Sequence, residues 1–240
     1  KSIEKTGIKY DALVVDEGQD INRKQWDSLL WSLHDPYKNP VYIFHDNNQK
    51  VYNKAELDLP DFPKYPHILK KNYRNSQDIF ATQKSYYKGE STTSEGPKGE
   101  SVSYFIAPTR EIAEKKIINL INKYTINEGM DKKQIAILTG NKLGTSSSIL
   151  GNYLTKDLNG KKKDNLYFVK AEKNEEDEIV FDSIKRFKGL EREIVILFDL
   201  EDALENPEEM YIGLSRPKLI LDIIGTEKNI EILNKISEDG

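Results

Sequence analysis

The run Ala12-Leu13-Val14-Val15, followed at once by Asp16-Glu17-Gly18-Gln19-Asp20, constrains this chain more than any other stretch. Small and apolar residues in a row are the pattern of a strand buried on both faces, and such strands belong to parallel sheets covered by helices. In an open α/β sheet, ligands sit just beyond the carboxyl ends of the strands. Asp16 would stand at that edge, where one carboxylate can hold Mg²⁺ beside nucleotide phosphates. Glu17, directed the other way, could orient or deprotonate a water. The alternative is a strand that ends in an ordinary polar turn.

The rest of the chain continues the alternation. Asn22 is placed to cap a helix in which Trp26, Leu29, Leu30 and Leu33 recur at helical spacing until Asp35-Pro36 stops it. Trp26 and Trp31 both read as packing groups. Val41-Tyr42-Ile43-Phe44 reads as a second buried strand, running into His45-Asp46-Asn47-Asn48-Gln49. Prolines punctuate 59–66 and mark a domain boundary, with a first unit over 1–62 and a second over 63–240. In the second unit the spacing predicts helices over 76–87, 109–124, 149–154 and 228–236, the second with Ile112, Ile117, Ile118 and Ile121 on its inner side. Strands are expected over 102–106, 134–138, 166–169, 179–184, 193–198 and 219–224, and a surface loop over 89–100. Strands alternating with helices predict an α/β fold, a mostly parallel sheet flanked by helices.

Composition narrows the chemistry. The chain has no cysteine, which excludes disulfides and thiolate zinc sites, and three scattered histidines do not make a metal cluster. No apolar run approaches the roughly 20 residues of a membrane span and no signal peptide opens the chain, so no membrane partner and a cytoplasmic location are expected. A net charge of −4 argues against coating nucleic acid by bulk electrostatics. Basic clusters remain at Lys70-Lys71 with Arg74, at Lys161-Lys162-Lys163, and at Lys185-Arg186 with Lys188. The chain begins at Lys1 with a strand almost at once, which reads as a piece of a longer protein.

Five polar clusters fall beside predicted strand ends or helix starts: DEGQD (16–20), HDNNQ with Val51-Tyr52, NYRNS (72–76), SIKRFKGLE (183–191) and YIGLSRPK (211–218). In order and rough spacing they resemble motifs II to VI of the UvrD/Rep-like superfamily 1 DNA helicases, over most of the chain. The aspartate and Gln of the short motif III and the phenylalanine of RFKGLE resemble the branch sometimes fused to a nuclease-related (NERD) domain.

The resemblance implies a RecA-like, P-loop NTPase type of fold: the tail of a first RecA-like domain and a complete second one, with ATP bound between them. It implies Asp16 as the Mg²⁺ ligand and Glu17 as activator of the attacking water. Gln49 would sense the γ-phosphate and Tyr73 would stack on adenine. Arg74 would reach the γ-phosphate with a planar, permanently charged fork. Arg216 would be the arginine finger, a role worth about 10³–10⁵ in rate. Glu191 would accept a hydrogen bond from the ribose, with Gly189 allowing close backbone approach. Tyr52, Ser183 and Lys185 would contact nucleic acid, Lys185 at a backbone phosphate. The implied partners are single-stranded or partly duplex DNA and an N-terminal domain carrying the Walker A loop.

Each residue has a blander reading. Arg74 could pair with a surface carboxylate, Tyr73 could be core, Lys188-Gly189-Leu190-Glu191 could be a turn, and Arg216, ahead of Pro217, could serve a helix start. The chain also departs from the family pattern. No G-x-x-x-x-G-K-[ST] loop occurs, so the 240 residues alone are expected to be inactive. His45 stands where the family has Gly, Tyr52 leads into Asn53-Lys54-Ala55 rather than an aromatic-Arg-Gly run, Ser183 replaces Thr and Lys185 replaces His. About 45 residues separate Leu138 from Ser183, too few for the large inserted subdomain of the best-known members. A degenerate helicase-like module that binds nucleic acid or protein without ATPase activity is the second expectation.

Overall fold

The chain divides after Ile68 into two units, Lys1–Ile68 and Leu69–Gly240. The computed structural model describes residues 7–49, 60, 67–99, 102–141, 168–173 and 178–239. In the first unit, β1 (Leu13–Val15) and β2 (Val41–Ile43) pair in parallel, Leu13 opposite Val41 and Val15 opposite Ile43. Helix α1 (Arg23–Leu30) lies between them in sequence. Its start is written locally: Asn22 Oδ1 accepts the Gln25 N–H at 3.1 Å, and Gln25 Oε1 accepts the Asn22 N–H at 2.9 Å. Such reciprocal capping satisfies two otherwise orphaned donors, worth about 1 kcal/mol.

Two expectations for this unit are corrected. The strands are not buried on both faces: Val14 is 66% exposed, and Tyr42 and Phe44 are exposed with it. Side chains alternate across a strand, so Val15, which is buried, shares one face with Ile43, and Val14 and Tyr42 share the other. Among the described residues nothing covers that second face. Trp31 is not a packing group either, being 72% exposed. The helix stops at Leu30, and Leu33 turns inward instead, in a bridge to Tyr10.

The second unit opens with β3 (Lys71–Asn72), which pairs in parallel with β4 (Thr93–Ser94). The expected 89–100 surface loop thus contains a short strand. Helix α2 (Gln77–Lys84) lies between the two. The main sheet comprises β5 (Ser103–Ile106), β6 (Ile135–Thr139), β7 (Phe168–Val169), β8 (Ile179–Ser183), β9 (Arg192–Phe198) and β10 (Pro217–Gly225). Its order is β5-β10-β9-β6-β8-β7, and every pair is parallel. The remaining helices are α3 (Arg110–Asn122), α4 (Glu201–Leu204), α5 (Pro207–Ser215) and α6 (Glu227–Asp239). This α/β architecture, an all-parallel sheet flanked by helices, is the expected fold class and is consistent with a RecA-like fold.

All five residues of β6 are buried, as a central parallel strand requires. Ala113, Ile117, Leu120 and Ile121 of α3 pack on Ile135, Ile137, Ile194, Ile196 and Phe198. Each such Ile, Leu or Phe side chain contributes about 1.5–3 kcal/mol on full burial. Ile112 is exposed rather than inward. Five residues before Ile117 is about 140° around the helix, off the buried stripe. Helix α3 runs on into a π-helical turn, Lys123–Asn127, where the Tyr124 hydroxyl donates to buried Asp222 Oδ2 of β10 at 2.6 Å.

Helix α5 has no counterpart among the sequence expectations, although its start is legible. Asn206 Oδ1 accepts the Glu209 N–H at 3.3 Å, Pro207 takes the first position, and Glu208 and Glu209 fill the first turn. Met210, Ile212, Gly213, Leu214 and Ser215 are all buried. A helix buried on most sides shows no amphipathic stripe for a periodicity argument to find. Among the described residues no helix is long and apolar enough to cross a membrane.

Candidate functional site

In the first unit the chemistry collects where β1 and β2 end. Asp16 follows β1 directly, is exposed, and accepts the Glu17 N–H on Oδ1 at 2.9 Å. Glu17 sits in the left-handed region at φ 52°, ψ 41°, a conformation costing a non-glycine residue about 1–2 kcal/mol. The neighbours hold it there. Gly18 donates its N–H to Phe44 O at 2.9 Å and lies so close to Ile43 that an added Cβ would come within 2.5 Å of Ile43 Cγ2.

Gln19, almost fully buried, then joins the two strand ends. Its amide nitrogen donates to the Glu17 carboxylate, and its carbonyl accepts the Asp46 N–H at 3.0 Å. Asp46 Oδ2 accepts from Gln49 Nε2 at 3.0 Å, and Oδ1 accepts the Asn48 N–H at 2.9 Å. Glu17 and Gln49 therefore belong to one hydrogen-bonded chain running through Gln19 and Asp46. The sequence reading assigned no role to Gln19 or Asp46. Their signal was their place in the DEGQD and HDNNQ clusters. Tyr52 lies outside the described residues.

In the second unit, three separate segments meet at the amino ends of β9 and β10. Asn75 does the joining. Fully buried, it donates through Nδ2 to Ser215 O at 3.1 Å and to Pro217 O at 2.6 Å. Its Oδ1 accepts from Asn72 Nδ2 at 2.9 Å and from Gln83 Nε2 at 3.1 Å. The Ser76 N–H adds a bond to Lys218 O at 2.8 Å. The Tyr73-Arg74 turn is thus clamped beside the Ser215–Lys218 segment, and Tyr73 is 67% exposed rather than core.

Glu191 is the focus of this cluster. Arg74 Nε lies 2.9 Å from Oε2, and Lys218 Nζ lies 2.9 Å from Oε1. Lys218 Nζ is also 3.6 Å from Glu193 Oε1. Burial by itself would raise the Glu191 carboxyl. The Lys218 hydrogen bond and the nearby charges of Arg74, Lys218 and Arg216 outweigh it and hold the group below the usual carboxylate range. Arg74 does pair with a carboxylate, the one that belongs to the KGLE run. Gly189, in that run, sits at φ +81° with open space around its α-carbon, so the turn leaves its backbone approachable.

Arg216 is 2% exposed and folded back on its own helix. Nε donates to Ile212 O at 3.0 Å, Nη1 to Leu190 O at 3.3 Å, and Nη2 to Ser215 Oγ at 2.7 Å. It stands at the end of α5, where a cation satisfies last-turn carbonyls and complements the helix dipole. The helix-start alternative is therefore replaced by a helix-end one. Lys218 had no role in the sequence reading, although it closes the YIGLSRPK cluster.

The 183–191 segment runs from one end of the sheet to the other. Ser183 ends β8 opposite Thr139, the last residue of β6, whereas Arg192 starts β9 opposite Pro217. Ser183 Oγ accepts the Arg186 N–H at 3.4 Å. Buried Asp182 anchors the start, its Oδ2 accepting the Ala171 N–H at 2.9 Å and its Oδ1 lying 3.3 Å from Arg186 Nε. Lys185 Nζ is 2.8 Å from Oε2 of Glu209, a side chain 3% exposed. Glu209 is thus a partner that the structure gives Lys185.

Among the described residues no cluster of three or more His, Cys, Asp or Glu could form a protein-only metal cage. Mg²⁺ bound with a nucleotide does not need one, since one or two carboxylates suffice beside phosphate oxygens and water. Exposed Asp16 at the carboxyl end of β1 fits that requirement.

No described protein family and no curated protein matches the chain. Among solved structures, the C-terminal domain of a possible DNA helicase from Lactobacillus plantarum WCFS1 is similar, at 15% sequence identity and a TM-score of 0.47. The match covers 64% of this chain and 87% of that one.

Proposed function

We propose that this chain is the C-terminal part of an ATP-dependent DNA helicase or translocase, with the tail of a first RecA-like domain in unit 1 and a complete second one in unit 2. The observation that supports it most is the convergence in unit 2. Arg74, Glu191 and Lys218 come from three clusters far apart in sequence and meet as one ion-paired group, with Tyr73 next to Arg74 in the chain and the charge of Arg216 nearby. An open aromatic face, cations and a ribose-sized acceptor are the groups a nucleotide calls for.

In this reading Asp16 holds Mg²⁺, whose charge offsets that of the bound phosphates. Glu17 orients the attacking water and takes its proton. Gln49, tied to Glu17 through Asp46 and Gln19, registers whether the terminal phosphate is present. In unit 2, Arg74 and Arg216 supply positive charge for nucleotide phosphate, and the 183–191 segment carries the change toward single-stranded DNA at Ser183. Lys185, paired with a buried glutamate, adds no support to DNA contact, and the departures at His45 and Lys185 are what a rival reading draws on. That rival is a helicase-like binding module without ATPase activity.

The test is Arg216→Ala in the full-length protein. ATPase activity should fall by about 10³-fold or more with nucleotide binding retained. Near-normal turnover would sink the assignment. A substitution that unfolds the protein is recognised by circular dichroism, and Arg216→Lys then serves, since a lysine keeps the charge and loses the fork.

A further inference from the structure

Both oxygens of Glu191 are occupied by cations, Oε2 by Arg74 and Oε1 by Lys218, each at 2.9 Å. None of the three side chains is fully buried, so their arrangement can change without opening the core. The backbone beneath them cannot move so easily. Asn75 ties the Arg74 turn to Ser215 and Pro217, the Ser76 N–H is bonded to Lys218 O, and the Arg192 N–H is bonded to Arg216 O at 3.2 Å. Two cations are thereby preset at a spacing that suits a two-oxygen anion, and Glu191 is the anion they now hold.

We infer that Glu191 is a resident counter-anion which the terminal phosphates of a nucleotide displace, and that Lys218 is a further phosphate-binding residue beside Arg74. This deepens the proposed function and rests on it for the identity of the ligand as a nucleotide. The exchange costs little electrostatically. Arg74 trades a carboxylate for a phosphate, for which its fork is well matched, and Lys218 keeps Glu193 at 3.6 Å as a second partner. Released, Glu191 regains the acceptor oxygens that a ribose hydroxyl requires. While it stays in place, the site is self-neutralised and stray anions are excluded, a form of specificity by competition. The lowered carboxyl of Glu191 agrees with this, since a group stabilised as an anion is what an incoming anion must replace.

The test uses the 240-residue chain, with inorganic tripolyphosphate as the probe in isothermal titration calorimetry. Glu191→Gln keeps the shape and removes the competing charge, so tripolyphosphate should bind about tenfold more tightly than to the parent chain. Adding Lys218→Gln or Arg74→Gln to that background should abolish the gain. Circular dichroism melts establish that each variant is folded, and should Glu191→Gln unfold, Glu191→Ala is measured instead. Unchanged or weaker binding to the folded Glu191 variant overturns the inference. So does a gain that survives loss of Lys218, or one seen only with a twelve-residue oligothymidylate and not with tripolyphosphate. The outcome is separable from the ATPase test. Normal turnover of Arg216→Ala would remove the nucleotide assignment while leaving the tripolyphosphate result standing.

Discussion

Lys185→Met should destabilise the second unit by about 2 kcal/mol, because Glu209 would be left buried without this cation. Lys185 Nζ lies 2.8 Å from Glu209 Oε2, and the glutamate side chain is 3% exposed. At that distance the gross attraction is about 6 kcal/mol for an effective dielectric near 20, most of it offset by desolvation. Breaking a buried pair by removing one partner typically costs about 3–5 kcal/mol. Two features lower the figure here. Lys185 is itself partly exposed, and Glu209 is the third residue of α5, where the helix amino end stabilises a carboxylate by about 0.3–1 kcal/mol. In thermal melts followed by far-ultraviolet circular dichroism the expected shift is about 4–8 °C downward. Glu209→Gln in the same chain should recover part of the loss, with a coupling of about 1–2 kcal/mol between the two positions. A Lys185→Met loss below about 0.5 kcal/mol, or full additivity in the double variant, refutes the reasoning. It would return Lys185 to the role of a lysine directed at DNA phosphate, whose removal lowers the salt dependence of binding by about one ion and leaves stability alone.

Two further predictions concern the strand ends and the core. Gly18→Ala should cost about 1–3 kcal/mol, because the new Cβ would meet Ile43 Cγ2 at 2.5 Å. Both tryptophans lie in unit 1, so urea titration of their fluorescence reads this change, and an unmoved midpoint would contradict the packing. Tyr124→Phe should cost about 1.5–3 kcal/mol at pH 7, since Asp222 loses a 2.6 Å hydroxyl donor to its buried carboxylate. Burial raises the Asp222 carboxyl and the Tyr124 hydrogen bond opposes the rise. A raised carboxyl contributes stability that is full below its unfolded value and lost as pH rises through the folded one. The variant's folded value is higher still, so its deficit should shrink as pH falls toward 3.8. A deficit that is constant from pH 7 to 3.8 would exclude Asp222 as its source.

The parallel sheet was legible in the sequence because strand and helix periods are local properties. Ile135–Thr139, Ile179–Ser183 and Arg192–Phe198 became strands close to where the apolar runs lie. Helix α1 could be read from Asn22 and Gln25 for the same reason: a cap is made by residues three apart. Helix α5 was missed because burial on most sides erases the stripe, although its Asn206-Pro207 start was there to be read.

Other properties have no local signature. The identical apolar lettering of β1 concealed that Val14 faces outward, since burial depends on what lies over a strand as well as on the strand. The polar clusters were visible one by one, and their order carried the family resemblance. Which charge meets which was decided only by the tertiary structure. Arg74 and Lys218 share Glu191, Lys185 is held by Glu209, and Arg216 is folded onto the end of α5. Sequence alone determined the backbone's repertoire and the chemical types available, because those follow from side-chain period and capping within a few residues. Packing of distant segments determined the partners. A charge is neutralised by whatever the fold brings within a few ångströms, and no local pattern encodes that distance.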